Sequence, residues 1–463
     1  MFKSFTINEA VWVLEAKLLS PQYSLKSKVT GICTDSRKIE KGNLFIALEG
    51  ENYNGHDYVK DAVAEGACGA IVHSVSGLRG VKAPILIVGD TVKSYGELAA
   101  WYLRNFDVQR IALTGSAGKT TTREMIAAIL SKIGNVHRNE ANENNLIGVP
   151  KTIFELDDSH DFLVLELGTS KPGEIDLLTT IAQPDCAVLL NALPVHLEGL
   201  KSLQGVIQEK ATILNDTGIQ IAIVNFDDMG ARSAAKDIDT QIVRFGRNKH
   251  YEVFASEITN TGDGISFKVN NRHDFKLNLP GNHNIHNALA AISVGLWAGV
   301  RFDEMENALE SMQSMKMRNQ IVKSDDFQIV FDCYNANPAS MKAAIDVLAN
   351  ITAKRHIAVL GDMLELGMFG DMYHQQIGYD IAKSSIDVLI TAGELSKLMH
   401  KPALTKSGII SIACETTEDA AIALINELQP GDAILLKASR GLHFELIFER
   451  INEYIQTKRS KSA

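Results

Sequence analysis

The chain has 463 residues, a formal net charge of -10 at pH 7 and 45 % apolar residues. This length predicts two to four domains. The acidic balance argues against broad binding to nucleic acid or to an anionic membrane surface, although it leaves open a local basic pocket for a small anion. The five cysteines are scattered and form no Cys-x-x-Cys pair, which is typical of reduced thiols in a cytoplasmic protein. We expect neither a signal peptide nor a membrane anchor, because no long apolar run occurs.

Apolar strands alternate with helical stretches along the chain, which predicts an α/β fold of three domains with largely parallel sheets. We place the first domain, a small α/β unit, at residues 1–88. Its predicted strands lie in "VTGICTDSR", "GNLFIALEG", "GAIVH" and "PILIVGD", and a helix is predicted in "DYVKDAVAEGA". A further helix, "TVKSYGELAAWYLRNF", connects this domain to the next.

The second domain, residues 89–316, opens with the strand "QRIALT", a Gly-Lys-Thr loop and an amphipathic helix. The apolar residues of that helix recur at a helical period; they are Met125, Ile126, Ile129, Leu130 and Ile133. Strands follow in "FLVLELG", "DCAVLLN" and "IAIVN", then a β-rich stretch from about 250 to 280 and the helix "NIHNALAAISVGLWAG". We expect a mostly parallel, P-loop-type sheet here.

The third domain, residues 317–463, repeats the alternation of strand and helix. Its strands are predicted in "QIVFD", "HIAVLGD", "DVLITAG" and "DAILLKAS", and Pro338 suits the first turn of a helix. This pattern predicts a smaller, doubly wound, Rossmann-like domain.

The Gly-Lys-Thr loop has the features of a phosphate-binding loop. A glycine-rich turn between a strand and a helix directs backbone N–H groups inwards, and the helix N-terminus attracts anions. Lys119 can reach terminal phosphates and Thr120 can ligate Mg²⁺. A tight turn with a surface lysine is the alternative, and the motif alone fits a kinase, a motor ATPase, a GTPase or an ATP-driven ligase. The loop residues proposed for the nucleotide are Gly115, Ser116, Ala117, Gly118, Lys119, Thr120 and Thr121.

Other polar residues allow two interpretations each. Glu166 ends a strand, where an acid can hold a metal or simply be solvated. His196 is a possible metal ligand or an ordinary loop histidine, and Lys210 taken alone is a solvated lysine. The asparagines of "RNEANENNLIGVP" can cap turns or bind a ligand, and Asn284 can be a helix N-cap while Asn287 faces an adenine edge.

Several charged residues stand at segment ends of the third domain, where they can face a nucleotide or be ordinary surface charges. They are Arg318, Asp332, Lys437 and Arg440.

Taken together, these segments resemble the Mur ligases of bacterial cell-wall synthesis over residues of about 29 to 445. The Gly-Lys-Thr loop and "HNIHNALAA" resemble motifs of all Mur ligases and of folylpolyglutamate synthases. The strings "NENNLIGVP", "LELGTSKPGEI" and "KASRG" resemble motifs of the members that add D-alanyl-D-alanine to UDP-N-acetylmuramoyl-tripeptide. The strings "CYNANPASM" and "LGDMLELG" are much more specific to those members. The "DNPR" string typical of diaminopimelate-adding members does not occur.

The resemblance implies an ATP-dependent amide ligase that uses two Mg²⁺ ions and acts as a cytoplasmic monomer. It implies that Thr120 and Glu166 hold one ion and that His196 ligates a second, while a carbamylated Lys210 carries a carboxylate to the metal site. The ATP contacts would come from Lys119, Asn287, Arg318, Asp332 and Lys437. The substrate contacts would come from Asp35, Ser36 and Arg37 for the UDP-sugar, and from Asn144, Asn145, Asn335, Asn337 and Arg440 for the peptide groups.

Three alternatives stay open at this point. A kinase or motor ATPase would turn over ATP without the dipeptide. A relative that joins another amine would use a different acceptor. A nucleotide-gated scaffold would bind ATP and a cell-wall precursor but release no phosphate, and the many candidate phosphate and metal ligands weigh against it.

Overall fold

The computed structural model describes residues 2–19, 22–50, 53–216, 218–260, 264–324 and 326–462, with side chains up to residue 456. Its three main sheets give a three-domain α/β fold, and each sheet lies within one of the ranges 1–88, 89–316 and 317–463. Residues 261–263 of the predicted β-rich stretch lie outside the described residues. The same holds for Asn52, the first residue of "NYNGHDY", a segment that the family resemblance also implies as part of the UDP-sugar site.

The N-terminal domain contains a five-stranded sheet of order β2-β9-β8-β5-β4, in which only β2 runs antiparallel to its neighbour. Its first helix, which the sequence did not predict, begins at a capping box between Thr6 and Glu9. The elements are β1 Phe5–Thr6, α1 Ile7–Val13, β2 Lys17–Leu18, β3 Lys28–Val29, β4 Gly31–Cys33, β5 Asn43–Ile46, β6 Glu49–Gly50, β7 Tyr53–Asn54, α2 Val59–Ala64, β8 Gly69–Val72 and β9 Ile85–Ile87, with 3₁₀ helices at Ser36–Lys38 and Gly55–Tyr58.

The middle domain contains a nine-stranded sheet of order β11-β12-β10-β13-β14-β15-β16-β17-β18. The strands are parallel from β11 to β16, and β16, β17 and β18 form an antiparallel meander. The elements are α3 Thr91–Leu103, β10 Gln109–Thr114, α4 Lys119–Leu130, β11 Val136–Arg138, α5 Gly148–Phe154, β12 Phe162–Glu166, α6 Glu174–Ala182, β13 Cys186–Leu189, α7 Leu197–Leu200, α8 Leu203–Ala211, β14 Ile221–Asn225, α9 Met229–Ala234, β15 Ile242–Gly246, β16 Val253–Asn260, β17 Ile265–Val269, β18 His273–Leu277, α10 His283–Trp297 and α11 Phe302–Glu310, with a 3₁₀ helix at Thr212–Leu214.

The C-terminal domain contains a six-stranded sheet of order β19-β20-β24-β21-β22-β23, parallel except for β19. Pro338 occupies the first turn of its helix as predicted. The elements are β19 Gln320–Lys323, β20 Phe327–Phe331, α12 Pro338–Ala349, β21 Arg355–Gly361, α13 Gly370–Ala382, β22 Val388–Ala392, α14 His400–Ala403, β23 Ile410–Cys414, α15 Thr417–Glu427, β24 Asp432–Lys437 and α16 Glu445–Ser462, with 3₁₀ helices at Gly367–Phe369, Ser396–Met399 and Arg440–Leu442.

The order of the middle strands fixes where a ligand can bind. Strand β10 lies between β12 and β13. Strands β11 and β12 are added on one side of β10, and β13 and β14 on its other side, so the strand order reverses at β10. In parallel α/β sheets a crevice opens at the carboxyl ends of the strands at such a point. The phosphate loop leaves β10 at this end, Glu166 is the last residue of β12, and Asn191 follows β13.

Two further observations complete the fold. All five cysteines are free, as the sequence predicts. Within the described residues, no helix is both long and apolar enough to cross a membrane.

The helical period placed Ile133 on the apolar face of α4, and this prediction is wrong. Ile133 is 44 % exposed because α4 ends at Leu130 and leaves it beyond the buried face.

Candidate active site

A cavity of about 790 Å³ lies between the middle and C-terminal domains, at the carboxyl ends of their strands. It contains side chains or backbone of most residues that the sequence singles out; these are Ser116, Ala117, Gly118, Lys119, Thr120, Thr121, Asn144, Asn145, Glu166, His196, Asn287, Arg318, Asp332, Asn335, Asn337 and Lys437. An adjoining cavity of about 400 Å³ contains Arg440 and shares Lys119, His196 and Asn335 with the first. Residues far apart in sequence therefore converge on one cleft.

The phosphate loop has the backbone that anion binding requires. Gly118 has a φ of 82°, which places it in the left-handed region directly before α4. A Cβ on this residue would lie 2.3 Å from Asn287 Oδ1, so both its conformation and its surroundings demand glycine. Lys119 Nζ donates to the carbonyl of Gly115 at 2.8 Å, and burial lowers the pKa of this amine.

Asn191 holds the loop from the neighbouring strand. Its Oδ1 accepts hydrogen bonds from the amides of Ser116 and Ala117 at 2.8 and 2.9 Å, and its Nδ2 donates to the carbonyl of Ala117 at 3.1 Å. The Ser116 hydroxyl also donates to the carbonyl of Leu193 at 2.9 Å. These three side-chain bonds tie Ser116 and Ala117 to the end of β13. Sequence reasoning missed this residue.

Glu166 is a buried carboxylate held by asparagines of the "NENNLIGVP" region. Asn139 accepts from the backbone amide of Glu166 at 2.9 Å and donates to its carbonyl at 3.0 Å. Asn144 Nδ2 donates to Glu166 Oε1 at 2.8 Å. The other oxygen, Oε2, is buried without a hydrogen bond and lies 3.5 Å from Arg123 Nη1. This oxygen is thus paired with Arg123 by charge alone. Glu166 and Thr120 border the same cavity, and oxygen donors of this kind match the ligand chemistry of Mg²⁺.

Lys210 lies on α8 with its side chain buried. Burial, followed by the charge of Lys119, lowers the pKa of this amine well below its ordinary value. The preceding residue, Glu209, accepts from the amides of Gly173 and Ile175 at 2.7 and 2.8 Å, which ties α8 to the start of α6. A buried lysine without a stabilised positive charge favours the neutral amine, which is the nucleophilic form.

His196 contacts the C-terminal domain. Its Nδ1 is hydrogen-bonded to Glu365 Oε2, and this bond lowers the pKa of the Glu365 carboxyl. The amide of Glu198 donates to the Glu365 carbonyl at 3.1 Å. Glu365 belongs to the "LGDMLELG" segment, which the sequence singled out without assigning it a role.

The N-terminus of α10 differs from the sequence prediction. Asn282 is the N-cap residue, so the prediction of Asn284 as a possible cap is wrong. The helix begins two residues earlier than that prediction needs, and Asn284 instead donates to the carbonyl of Pro280 at 2.7 Å. Asn287 Nδ2 donates to Asn284 Oδ1 at 2.9 Å, and its own Oδ1 faces Gly118. The pair thus packs against the phosphate loop.

The C-terminal wall of the cavity carries a buried ion pair. Lys437 Nζ donates to Asp332 Oδ2 at 2.6 Å and to the carbonyl of Asn335 at 2.9 Å. Arg318 lies over the ring of Tyr334, 3.8 Å from its centroid, with its charge near enough to lower the pKa of Lys119. This arrangement presents positive charge from both domains to one cleft.

Three further asparagines of the cavity, Asn145, Asn335 and Asn337, use their side-chain oxygens locally. Asn145 Oδ1 accepts from the amides of Ile147 and Gly148 at 3.0 and 2.9 Å. Asn337 caps α12 by accepting from the amide of Ser340 at 2.9 Å, and Asn335 Oδ1 accepts from the next amide in the chain. Their NH₂ groups can still donate to a ligand.

Asp35, Ser36 and Arg37 lie in the N-terminal domain and do not belong to either cavity described above. Arg37 Nε donates to Asp35 Oδ1 at 2.8 Å, and this pairing lowers the pKa of the Asp35 carboxyl to about 2. The structure therefore does not bring this predicted substrate site together with the phosphate loop.

Comparison with known proteins places this architecture in one family. Residues 28–117 match the Mur ligase family catalytic domain, residues 113–295 match the Mur ligase middle domain, and residues 317–440 match the Mur ligase glutamate ligase domain. Matches to these domains span most of the chain. The chain belongs to the Mur ligase family.

Individual relatives of this Mur ligase cover nearly its whole length. It is 35 % identical to the UDP-N-acetylmuramoyl-tripeptide--D-alanyl-D-alanine ligase of Escherichia coli, over 97 % of this chain and 99 % of that protein. The enzyme of the same name from Bacillus subtilis is 32 % identical, over 97 % and 98 %.

Two solved structures have the same fold. MurF from Acinetobacter baumannii matches with a TM-score of 0.89 and 32 % identity, over 98 % of this chain and 99 % of that one. MurF ligase from Thermotoga maritima in complex with ADP matches with a TM-score of 0.84 and 25 % identity, over 93 % and 99 %.

The metal-ligand set of this Mur ligase is sparse. Within the described part of the chain, no group of three or more histidine, cysteine, aspartate or glutamate side chains is arranged to hold a metal ion. Mg²⁺ is commonly held by one or two carboxylates, with water and substrate phosphates as the remaining ligands. Thr120 and Glu166, which carry oxygen donors, both border the cavity at the phosphate loop.

Proposed function

We propose that this Mur ligase uses ATP to join D-alanyl-D-alanine to UDP-N-acetylmuramoyl-tripeptide, which completes the pentapeptide precursor of peptidoglycan. One observation carries the proposal: the phosphate loop of the middle domain and the polar strand ends of the C-terminal domain form a single cleft. ATP bound at Lys119 would therefore lie within reach of an amine bound beside Asn335 and Arg440.

The reaction needs two steps. The tripeptide carboxylate attacks the γ-phosphorus of ATP, which forms an acyl phosphate and releases ADP. The amine of the dipeptide then attacks the acyl carbon, loses a proton and expels inorganic phosphate. Lys119 and the backbone amides at the start of α4 bind the phosphates, and Arg318 adds positive charge from the other domain. Closure of the two domains keeps water from the acyl phosphate.

Two Mg²⁺ ions would take part, and Thr120 and Glu166, which both border the cavity at the phosphate loop, would hold one of them. His196 and a carbamylated Lys210 would hold the other. The ions would neutralise charge on the transferring phosphoryl group.

The buried environment of Lys210 supports the proposed carbamate. A neutral buried amine can attack CO₂, forming an N–C bond and releasing one proton, and the new carboxylate would be stabilised by Lys119 and a cation. We expect Lys210→Ala to lose activity, with partial rescue by added short carboxylates. Lys132→Ala, which alters an exposed lysine of the same domain, is the control. Full activity of Lys210→Ala without added carboxylate would contradict the carbamate.

We further propose that Asp35, Ser36 and Arg37 bind part of the UDP-sugar in the N-terminal domain. Arg37 is exposed apart from its bond to Asp35 and can therefore be recruited by an anion. Arg37→Ala should raise the KM for the UDP-linked substrate and leave the KM for ATP unchanged. Equal increases in both constants would argue against a site that is specific for the UDP-sugar.

The overall function is tested by omitting one substrate at a time. Phosphate release should require ATP, Mg²⁺, the UDP-linked tripeptide and D-alanyl-D-alanine together, and mass spectrometry should show the pentapeptide. Release without the dipeptide would indicate an ATPase or a different acceptor. Tight ATP binding without any release would indicate a nucleotide-gated binding protein.

A further inference from the structure

The contact between His196 and Glu365 joins two domains across the cleft. His196 comes directly before α7 of the middle domain, and Glu365 lies in the loop after β21 of the C-terminal domain. Their side chains meet through Nδ1 and Oε2. Both residues border the cavity that contains the phosphate loop.

The backbone on both sides of the contact is constrained. His196 has a φ of 50° and Glu365 a φ of 64°, and neither is glycine. Residues held in the left-handed region cost free energy and persist where the surroundings demand that geometry. A backbone bond from the amide of Glu198 to the Glu365 carbonyl, at 3.1 Å, fixes the two segments beside each other. The side-chain contact is therefore part of a shaped interface.

The choice of ring nitrogen has a chemical consequence. A neutral imidazole carries its proton on one nitrogen and can offer only the other to a cation. Histidine ligands commonly donate the remaining N–H to a carboxylate, which fixes the tautomer and orients the ring. In this structure the carboxylate is on Nδ1, so Nε2 is the nitrogen that stays available.

We propose that Glu365 is a positioning residue that, when the domains close, fixes His196 as the Nδ1–H tautomer and presents Nε2 to the divalent cation. This inference rests on the proposed role of His196 in the function above. If Glu365 has this role, the second cation site is complete only when the domains are closed. The middle domain supplies the ligand, His196, and the C-terminal domain supplies Glu365, which orients it. ATP bound to an open molecule would then lack the full charge neutralisation that phosphoryl transfer requires.

The test measures cation binding rather than turnover. Mn²⁺ binding to the full-length protein with a non-hydrolysable ATP analogue is followed by electron paramagnetic resonance. We expect Glu365→Ala to weaken one of two Mn²⁺ ions about tenfold or more, as loss of a carboxylate behind a ligand typically does. Glu365→Gln keeps an accepting oxygen and should weaken that ion less. Glu394→Gln, at an exposed glutamate of the same domain, should leave both ions unchanged.

A second measurement reports the tautomer directly. At pH 9, above the ordinary histidine pKa of about 6.5, ¹⁵N shifts should show His196 protonated on Nδ1 in the parent protein and in Glu365→Gln. In Glu365→Ala the proton should move towards Nε2. This readout also identifies a variant that has merely lost its fold, because the other imidazole signals would then change together.

Two results separate this inference from the proposed function. If His196→Ala loses one Mn²⁺ ion while Glu365→Ala binds both with parental affinity and an unchanged tautomer, the positioning role of Glu365 is overturned and the metal-ligand role of His196 stands. If His196→Ala itself binds both ions normally, His196 is not a ligand, and both statements fail.

Discussion

Gly118→Ala offers a sharp test of how the phosphate loop is built. The chain contains a matched control in Gly173, because both glycines are helix N-cap residues in the left-handed region, with φ of 82° and 86°. They differ in surroundings. A Cβ at position 173 would meet nothing within 4 Å, whereas one at position 118 would lie 2.3 Å from Asn287 Oδ1 and 3.2 Å from its Cγ.

The expected magnitudes follow from that difference. Alanine in the left-handed region costs about 1 kcal/mol, which is the whole expected effect of Gly173→Ala. At Gly118 the side chain of Asn287 must also move, which breaks its bond to Asn284 and costs about 1 kcal/mol more. Repacking of the buried loop adds about 1 kcal/mol or more. We therefore expect Gly118→Ala to destabilise the start of α4 by about 3 kcal/mol.

Native-state hydrogen exchange of the α4 amides measures this local stability, and calorimetric titration with an ATP analogue measures the effect on binding. The double variant Gly118→Ala/Asn287→Ala removes the colliding oxygen. Its loss of local stability should be smaller by at least about 1 kcal/mol than the sum of the losses in the two single variants. Equal costs for Gly118→Ala and Gly173→Ala would refute the reasoning, since the contact with Asn287 would then have no energetic effect.

Three further predictions address the site and the fold. Asn191→Ala should weaken binding of an ATP analogue about tenfold in calorimetric titration, because two loop amides lose their acceptor; unchanged affinity would show that the loop organises itself. Burial lowers the pKa of His283 to about 4. Between pH 6.5 and 4 the folded state therefore binds fewer protons than the unfolded state. The free energy of unfolding, measured with urea, should decrease as the pH falls through that window. In His283→Gln the decrease in the free energy of unfolding over this window should be smaller by about 2 kcal/mol, allowing for partial solvent access. An unchanged pH dependence in this variant would argue against the titration of His283. Asp432→Asn leaves Arg355 without its bidentate partner and should lower the free energy of unfolding by about 3 kcal/mol, whereas an effect near zero would mean that the pair is not coupled to folding.

The sequence predicts those parts of the site that depend on local pattern. The strand, glycine loop and helix around Lys119 are contiguous, and the period of the apolar residues defines the buried face of α4. Glu166 could be placed because a strand end is recognisable from its composition. The parallel sheets follow from the alternation of strand and helix.

The missed residues depend on contacts between distant segments. Asn191 touches a loop 74 and 75 residues away in the chain, and Glu365 meets a histidine 169 residues away. Only the order of the strands and the packing of two domains bring these partners together. The error at Asn284 has a local cause, since helix boundaries shift by a residue or two and the cap moves with them.

The most direct test of the central claim follows oxygen from the tripeptide carboxylate. The carboxylate is labelled with ¹⁸O on both oxygens, and the released inorganic phosphate is analysed by mass spectrometry. An acyl phosphate requires the bridging oxygen to come from the carboxylate, so each phosphate released with amide formation should carry one ¹⁸O. Phosphate without the label, formed together with the pentapeptide, would contradict the acyl phosphate route.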